Sequence, residues 1–192
     1  MRYKWVLEVR EVRRKNDLRE IGDSHLESSE RFIPHMTLVY PFAFRRGVRP
    51  FHLMMKVQDV TSTFGRVAFD YAGLASKETH GKEITVFNVN PSEELKSFRA
   101  ALYAAVRGII LEEPETAAFN RRPKDQFWFH ATVSMRSGLS SIQHLKEFFS
   151  PTTTVVSEVD RVSLLRSRRI VYEYDKQRNT ILTRSEALRR PP

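Results

Sequence analysis

Cysteine is absent from this chain of 192 residues. Its absence excludes a disulfide framework and thiolate metal sites, and it fits an intracellular, reducing compartment. No apolar run approaches the ~18 to 20 residues that a membrane-spanning helix needs. The N-terminal stretch MRYKWVLEVREVRRK has too short an apolar run for a signal peptide and lacks a small-residue cleavage site. We therefore expect a soluble, cytoplasmic protein with no membrane partner, and we expect a monomer.

The residues that are present favour a folded protein with an acidic partner. Hydrophobic residues make up 41% of the chain, and the chain has 13 phenylalanines. This is enough for a sizeable core, and the length predicts one domain over residues 1–192. The formal net charge is +9. Such a charge favours binding to nucleic acid or a phosphate compound, and a solvated basic surface is the alternative interpretation.

Hydrophobic periodicity divides the chain into strands and helices. Strands are predicted at residues 3–9, 32–40, 67–75, 84–89, 127–135, 155–165 and 170–174. Helices are predicted at residues 16–29, 51–64, 91–109 and 140–149. A hairpin with a long tip, KETHGK, is predicted after the second helix, and a loop at residues 112–124. The order of motif strand, helix and paired strands occurs twice. This suggests an internal duplication and predicts an α+β fold with largely antiparallel sheets.

The pattern His-x-Thr occurs twice in apolar, strand-like surroundings. The first copy lies in PHMTLVY and the second in FHATVSM. Successive side chains of a strand point to opposite faces, so residues i and i+2 share a face. His35 and Thr37 are therefore predicted to project together, and so are His130 and Thr132. A duplicated fold would bring both pairs around one cleft.

Two histidines and two hydroxyls in one cleft suit phosphodiester chemistry. Hydrolysis needs a base that activates water and an acid that protonates the leaving oxygen, and histidine can do either near neutral pH. The threonine hydroxyls can donate to the non-bridging oxygens, where the transition state holds charge. Two alternatives are half-buried pairs without chemistry and a metal site. The metal site is weakened because the chain has no Cys, no His-x-x-x-His and no acidic cluster near either motif.

PHMTL and FHATV, in this order and spacing, resemble the signature of the two-histidine (2H) phosphoesterase superfamily. The likeness is greatest to its RNA 2',3'-cyclic phosphodiesterase branch, also called the 2'-5' RNA ligase or LigT-like family. The segment VDRVSLLRS, residues 159–167, is similar to that family's penultimate strand. The resemblance implies one bilobal α+β domain of duplicated, pseudo-twofold lobes. Their antiparallel sheets would form a concave central cleft, with helices on the outside.

The resemblance also assigns roles to the four motif residues. It implies that His35 and His130 are catalytic and that the site uses no metal and no other cofactor. It implies that Thr37 and Thr132 bind the phosphate.

The chain departs from the family pattern in two places. Bacterial ligase-like members often carry an arginine five residues after the second histidine, where this chain has Met135 followed by Arg136. In a regular strand Arg136 would face away from His130, and a bulge could re-aim it toward a substrate. The segment VYPFAF also replaces a leucine-rich, glycine-containing one. Its aromatic residues, Tyr40 and Phe42 among them, are candidates to stack on a base or else belong to the core.

The leading hypothesis is a metal-independent phosphodiesterase that hydrolyses 2',3'-cyclic phosphate ends of RNA or nucleotides, with the 2'-phosphate product that the resemblance implies. Which histidine is the acid stays open. A 2'-5' RNA ligase or a 2'-5' oligoadenylate phosphodiesterase would use the same residues, and a non-catalytic nucleotide- or RNA-binding module is the alternative from another class. Two basic clusters are candidates to hold RNA phosphates, or are solvated loops. They are Arg45, Arg46 and Arg49, and Arg121, Arg122 and Lys124.

Overall fold

The computed structural model describes residues 5–10, 35–79, 82–134, 155–167 and 169–189. The strands are β1 (Trp5–Arg10), β2 (His35–Phe44), β3 (Ala68–Thr79), β4 (Lys82–Pro91), β5 (Ile110–Glu112), β6 (His130–Ser134), β7 (Val155–Glu158), β8 (Arg161–Arg166), β9 (Arg169–Asp175) and β10 (Thr180–Thr183). The helices are α1 (Pro50–Thr63), α2 (Glu93–Val106), α3 (Pro114–Asn120) and α4 (Arg184–Leu188), with a 3₁₀ turn at Lys124–Gln126. The helices predicted at 16–29 and 140–149 lie outside the described residues.

The described strands form one sheet in the order β10-β9-β8-β1-β2-β6-β4-β3-β7, and β5 also pairs with β2. Every recorded pairing is antiparallel. The two motif strands, β2 and β6, are neighbours within the sheet although they are far apart in the chain. The α+β class with antiparallel pairing is confirmed. The duplication into pseudo-twofold lobes stays a prediction.

The apolar side chains of the central strands gather on one face of the sheet, under α1 and α2. Leu7 of β1, Met36 of β2 and Ala131 of β6 are at most 2% exposed. They share a cluster with Leu53 of α1 and Phe98 of α2. Burying an aliphatic or aromatic side chain of this size stabilises a fold by about 1.5–3 kcal/mol. The helices therefore cover this face, and the polar residues that alternate with the apolar ones lie on the other.

Local signals set the two long helices where the sequence predicts them. Ser92 caps α2 by accepting a hydrogen bond from the Leu95 backbone N–H at 3.1 Å. Glu93 and Glu94 lie in the first turn, where negative charge is favoured by the helix dipole. α1 begins at Pro50, a residue suited to a first helical position. Within the described ranges, no helix has the length and apolarity to cross a membrane.

The loop predicted at 112–124 is wrong, because this segment contains α3. Pro114 lies in the first turn of α3, where its missing N–H interrupts no helical hydrogen bond. Ala117 and Ala118 follow, and alanine is the best helix former. In the sequence, a proline that begins a helix looks the same as one that ends a helix.

Three predicted strand boundaries also differ. Residues 155–165 form two strands, because β7 pairs with β3 while β8 pairs with β1 and β9. The predicted long tip KETHGK is mostly strand, since β3 continues to Thr79 and β4 starts at Lys82. β2 continues beyond the predicted end at Tyr40 through Pro41. The β1–β2 register shifts between Leu7 and Trp5, and a strand tolerates proline at such an irregularity.

The segment between β5 and β6 runs back along β2. β5 pairs with one end of β2 and β6 with the other. Between these pairings, the buried Asn120 accepts a hydrogen bond from the Tyr40 N–H at 2.8 Å and donates to the Tyr40 carbonyl at 3.4 Å. Arg99 of α2 donates to the carbonyl oxygens of Leu38 at 3.2 Å and Asn120 at 2.6 Å. These bonds satisfy buried backbone groups of β2 and fix its position.

Asn120→Ala is expected to destabilise the fold by about 2–4 kcal/mol, because it leaves two backbone groups of Tyr40 unpaired. It also removes the hydrogen bond that Asn120 donates to Glu112 at 2.5 Å. The free energy of unfolding from a urea titration measures the effect. Asn90→Ala, at an exposed position of β4, is the matched control and should change it by less than about 0.5 kcal/mol. Equal losses in both variants would contradict this role of Asn120.

Candidate active site

β2 presents His35 and Thr37 on the face of the sheet that lies opposite the helices. Met36 and Leu38, which alternate with them, are 2% and 0% exposed and belong to the core. His35 and Thr37 are half-buried. The two-residue period of a strand produces this division. The structure thus places the first histidine and the first threonine on one face.

The second motif joins this face through the register of β6 against β2. Met36 lies opposite Ala131. In an antiparallel pair the flanking residues follow in opposite order, so Thr37 lies opposite His130. Residues directly opposite each other share a face, with Cβ atoms about 4.5–5.5 Å apart.

The same register makes the two histidines diagonal neighbours. Thr132 takes the strand position opposite His35, just as His130 takes the position opposite Thr37. Diagonal neighbours in a sheet are about 7–8 Å apart, which long side chains can span. A phosphate group between two imidazole rings fits a separation of this size. The sheet therefore brings the two motifs to one place, although the chain separates them.

A row of polar residues crosses the sheet through this place. Each member lies directly opposite the next on the neighbouring strand, so all share one face. In strand order from β9 to β4 the row is Glu173, Ser163, Glu8, Thr37, His130 and Asn88. The motif residues are thus the middle of a longer polar row.

Glu8 is a carboxylate beside the first motif. Its Oε2 lies 3.7 Å from Nε2 of His35, and its side chain is 6% exposed. Burial raises the pKa of Glu8 above its ordinary value, because water no longer stabilises the charged form. The positive charges of His35 and Arg10 oppose this rise, and the charge of Glu173 adds to it.

A buried ionic network on β1, β8 and β9 extends beyond Glu8. Arg161 donates to one carboxylate oxygen of Glu173 at 3.0 Å and lies 3.8 Å from Asp175. Ser163 donates to the other oxygen of Glu173 at 2.7 Å. Arg10 lies 4.0 Å from Glu173, and burial lowers the pKa of Arg10. Its Nε is buried with no hydrogen-bond partner among the described residues. A buried charge without a partner is unfavourable, so each member of the network depends on the others for its stability.

His130 has different surroundings. Its ring stacks on Trp128, with centroids 3.8 Å apart and planes 18° apart. The Trp128 Nε1–H donates to Oδ1 of Asn88 at 3.3 Å, which ties the indole to β4. Nδ1 of His130 lies 3.3 Å from the Trp128 carbonyl oxygen. A carbonyl only accepts, so Nδ1 carries hydrogen there, and Nε2 is the basic nitrogen of the neutral ring.

The family model described as the 2'-5' RNA ligase superfamily matches residues 5–170, which is most of the chain. The chain belongs to the 2'-5' RNA ligase superfamily. The resemblance predicted from the two His-x-Thr motifs is confirmed.

Two solved structures of Usb1 from Kluyveromyces marxianus are similar to this chain. One of them contains uridine monophosphate. Each is 10% identical over 88% of this chain and 97% of the Usb1 chain. The TM-scores are 0.48 and 0.47. No curated protein matches the chain.

The remaining residues that the sequence predicts for the site lie in different surroundings from the two motif pairs. Phe42 is 0% exposed; we correct its assignment as a substrate contact, because a ring closed off in the core cannot stack on a base. Tyr40 is half-buried and stacks on Phe119 with centroids 5.2 Å apart. Only the strand position of Thr132 is described, and Arg136 lies outside the described residues. The described ranges contain no group of three His, Asp or Glu side chains that could hold a metal ion together.

Sequence reasoning missed the members of the polar row that lie outside the two motifs. Glu8, Ser163 and Asn88 belong to segments far from either motif, so only the strand register shows that they share its face. Trp128 could have been found, because it precedes His130 by two residues in the segment predicted as a strand, where residues i and i+2 share a face.

The raised pKa of Glu8 predicts a pH-dependent contribution to the stability of this superfamily member. A raised folded-state pKa favours folding below the ordinary value of 4.5, and this contribution is lost as the pH rises through the folded value. Relative to Glu8→Gln, the wild type should therefore lose stability as the pH rises from about 4 to 8. Urea titrations across this range measure the difference. Glu94→Gln, at an exposed position of α2, should show no such trend; a parallel trend would count against this account.

Proposed function

We propose that this protein is a metal-independent phosphodiesterase that hydrolyses the 2',3'-cyclic phosphate ends of RNA or nucleotides to 2'-phosphates. The register of β2 against β6 carries the proposal, because it places His130 opposite Thr37 and the strand position of Thr132 opposite His35. Membership of the 2'-5' RNA ligase superfamily supports RNA as the substrate class. The proposal includes a monomer in the cytoplasm, as the sequence predicts.

The proposed reaction opens the cyclic phosphate in one in-line displacement. A histidine takes a proton from water, and the water oxygen bonds to phosphorus. The bond between phosphorus and the 3' oxygen breaks, and the other histidine gives that oxygen a proton. A 2'-phosphate and a 3'-hydroxyl result. Each of these proton transfers is typically worth about 10²–10⁴ in rate.

The threonines have the complementary role in this proposal. During the displacement, negative charge builds on the two non-bridging oxygens, and fixed donors close to them lower the barrier. Thr37, which lies opposite His130 in register, is the proposed first donor. Thr132 is the proposed second donor.

Exposed basic residues support an RNA end over a small nucleotide alone. Six Arg and Lys side chains on the connections around β2 and before β6 are exposed and can neutralise phosphates beyond the reacting one. They are Arg45, Arg46, Arg49, Arg121, Arg122 and Lys124. If these side chains hold RNA, affinity for a cyclic-phosphate-ended oligonucleotide falls steeply with salt, whereas affinity for the mononucleotide falls less.

Ligation is the second candidate function, and the name of the matching family favours it. The 5'-hydroxyl of another RNA end would attack the cyclic phosphate in place of water. A bond from phosphorus to that oxygen would form, the bond to the 3' oxygen would break, and a 2'-5' linkage would result. The same four residues would serve both reactions.

His35→Ala and His130→Ala should each lower kcat for uridine 2',3'-cyclic phosphate by about 10²–10⁴, because each removes one proton transfer. Thr37→Val should lower it by about 10²-fold, the effect typical of losing one oxyanion donor. Turnover is measured in EDTA, and the product is identified as the 2'- or 3'-phosphate. His52→Ala, at an exposed position of α1, is the control that should keep wild-type kcat.

Several outcomes would overturn parts of this proposal. Full activity in both motif-histidine variants would exclude the mechanism, and loss of wild-type activity in EDTA would exclude metal independence. Binding of uridine 2',3'-cyclic phosphate without turnover would favour the non-catalytic module.

Ligation is tested by mixing RNA ending in a 2',3'-cyclic phosphate with RNA that begins with a 5'-hydroxyl. A 2'-5' ligase yields a joined product that resists nucleases specific for 3'-5' linkages. We expect hydrolysis to exceed joining, because water is present at far higher concentration than any RNA end. If the joined product predominates over the 2'-phosphate, ligation and not hydrolysis is the main reaction.

A further inference from the structure

We infer that Trp128 is a positioning residue that holds the imidazole ring of His130 in place for proton transfer, and that Asn88 anchors Trp128 in that position. The inference rests on the proposed function and names two residues outside both His-x-Thr motifs. Three contacts support it: a ring stack, a contact of the Trp128 carbonyl with the edge of the His130 ring, and a hydrogen bond from the indole to β4.

The extended backbone before β6 puts Trp128 and His130 on the same face of the sheet. Phe129 and Ala131 alternate with them and are at most 2% exposed, in the core. The Val89 N–H donates to the Phe129 carbonyl at 3.2 Å, so the attachment to β4 continues past the end of β6. Trp128 and His130 are half-buried. As residues i and i+2 of one extended segment, they project their side chains together.

The indole and the imidazole overlap face to face. Their centroids are 3.8 Å apart and their planes differ by 18°. Neutral aromatic rings favour offset or edge-to-face contacts with centroids about 4.5–7 Å apart, because the negative faces of two rings repel each other. A protonated imidazole is an exception, since a cation is attracted to the face of an indole. The stack therefore suits a ring that carries a positive charge at one stage of the reaction, whether His130 gives the proton or takes it.

Trp128 also contacts the edge of the imidazole. Its carbonyl oxygen lies 3.3 Å from Nδ1 of His130. The indole restricts the tilt of the imidazole plane, and the contact at Nδ1 opposes a half-turn of the ring, which would put carbon where each nitrogen is. Nε2 is thereby the nitrogen for proton transfer. Such a group acts well only where its position is held within about 0.5 Å and its direction within about 10–20°.

Asn88 fixes the indole from the neighbouring strand. The Trp128 Nε1–H donates to Oδ1 of Asn88 at 3.3 Å. Asn88 lies directly opposite His130 in the pairing of β4 with β6. The three side chains therefore form a closed set, in which a shift of the indole would break both the stack and the bond to Asn88.

The first motif has no aromatic residue at the corresponding position of the sequence. Ile33 precedes His35 by two residues, as Trp128 precedes His130. An aliphatic side chain cannot stack on an imidazole as an indole does. The positioning role thus belongs to the second motif, and substitutions of Trp128 should act through His130.

The first experiment measures kcat and KM for uridine 2',3'-cyclic phosphate in variants of Trp128. Trp128→Leu removes the stack and should lower kcat by about 10-fold, a part of the effect of one general acid or base. KM should change by less than about 3-fold, because the loss falls on the chemical step. Trp128→Phe keeps a ring against the imidazole and should restore kcat to within about 3-fold of the wild type.

Trp5→Leu is the matched control for the loss of a tryptophan from the same sheet. Trp5 lies on β1, opposite Phe42. With every rate scaled to the folded fraction from circular dichroism, this variant should keep wild-type kcat. An equal loss in Trp5→Leu and Trp128→Leu would show that general loosening of the sheet causes the effect, and would overturn the inference.

A double-mutant cycle tests the anchor. Asn88→Ala should lower kcat by about 2- to 5-fold in the wild-type background. The same change should have little effect in the Trp128→Phe background, since phenylalanine has no N–H to donate to Asn88. Equal losses in both backgrounds would show that Asn88 acts by another route, and would overturn its role as the anchor.

Fluorescence supplies a readout that a purely structural role would not move and that needs no turnover. The chain has two tryptophans, so Trp5→Phe leaves Trp128 as the single indole. A protonated imidazole in contact with an indole quenches its fluorescence. Emission should therefore rise as the pH is raised and His130 loses its proton. This step should disappear when Trp5→Phe is combined with His130→Ala.

The outcomes separate this inference from the proposed function. If the wild type does not turn over cyclic phosphate, the proposed function fails, whatever the fluorescence shows. If the wild type is active but Trp128→Leu keeps kcat within about 2-fold, or Trp128→Phe loses as much as Trp128→Leu, the inference about Trp128 is overturned. An active wild type whose emission has no step dependent on His130 overturns it as well.

Discussion

The antiparallel register of β2 against β1 and β6 determines where every polar group of the site lies. Side chains in a strand alternate with a period of two, so a slip of one residue would exchange His35 with Met36 and move the motif into the core. Burial of Met36 on the helix face opposes such a slip. The hydrogen bonds from Arg99 to Leu38 and between Asn120 and Tyr40 fix β2 from the helix side. The helical half of the fold thus holds the site in register.

The buried ionic network lies beside the first motif of the candidate site. Replacing buried ion pairs with apolar side chains is often neutral or stabilising, so such a network alone contributes little to a fold. Here it begins beside His35 and continues through Glu8 to Arg10 and Glu173. Among the described residues, Nε of Arg10 has no hydrogen-bond partner. The network therefore places buried acidic and basic side chains next to one of the two motif histidines.

Local alternation predicts as much of the site as lies within one strand segment. It places His35 with Thr37 correctly because no irregularity separates them. Further along β2 it fails: the register with β1 shifts before Val39, which is 0% exposed although it follows Thr37 by two residues. For the same reason the sequence could not tell whether Phe42 belongs to the core. Glu8 was beyond reach because its place depends on pairing between distant segments, a tertiary property. The helix α3 was missed for a local reason, the double meaning of proline.

The two motif copies are alike in sequence, yet the sheet gives them unlike surroundings. On the β1 side, the groups beyond His35 are buried acidic and basic side chains. On the β4 side, the groups around His130 are an indole, an amide and a backbone carbonyl. A duplicated motif by itself would leave the histidines interchangeable, and a displacement in which both were protonated or both neutral would stall. In the proposed displacement one histidine gives a proton and the other takes one, so unlike surroundings suit the two roles.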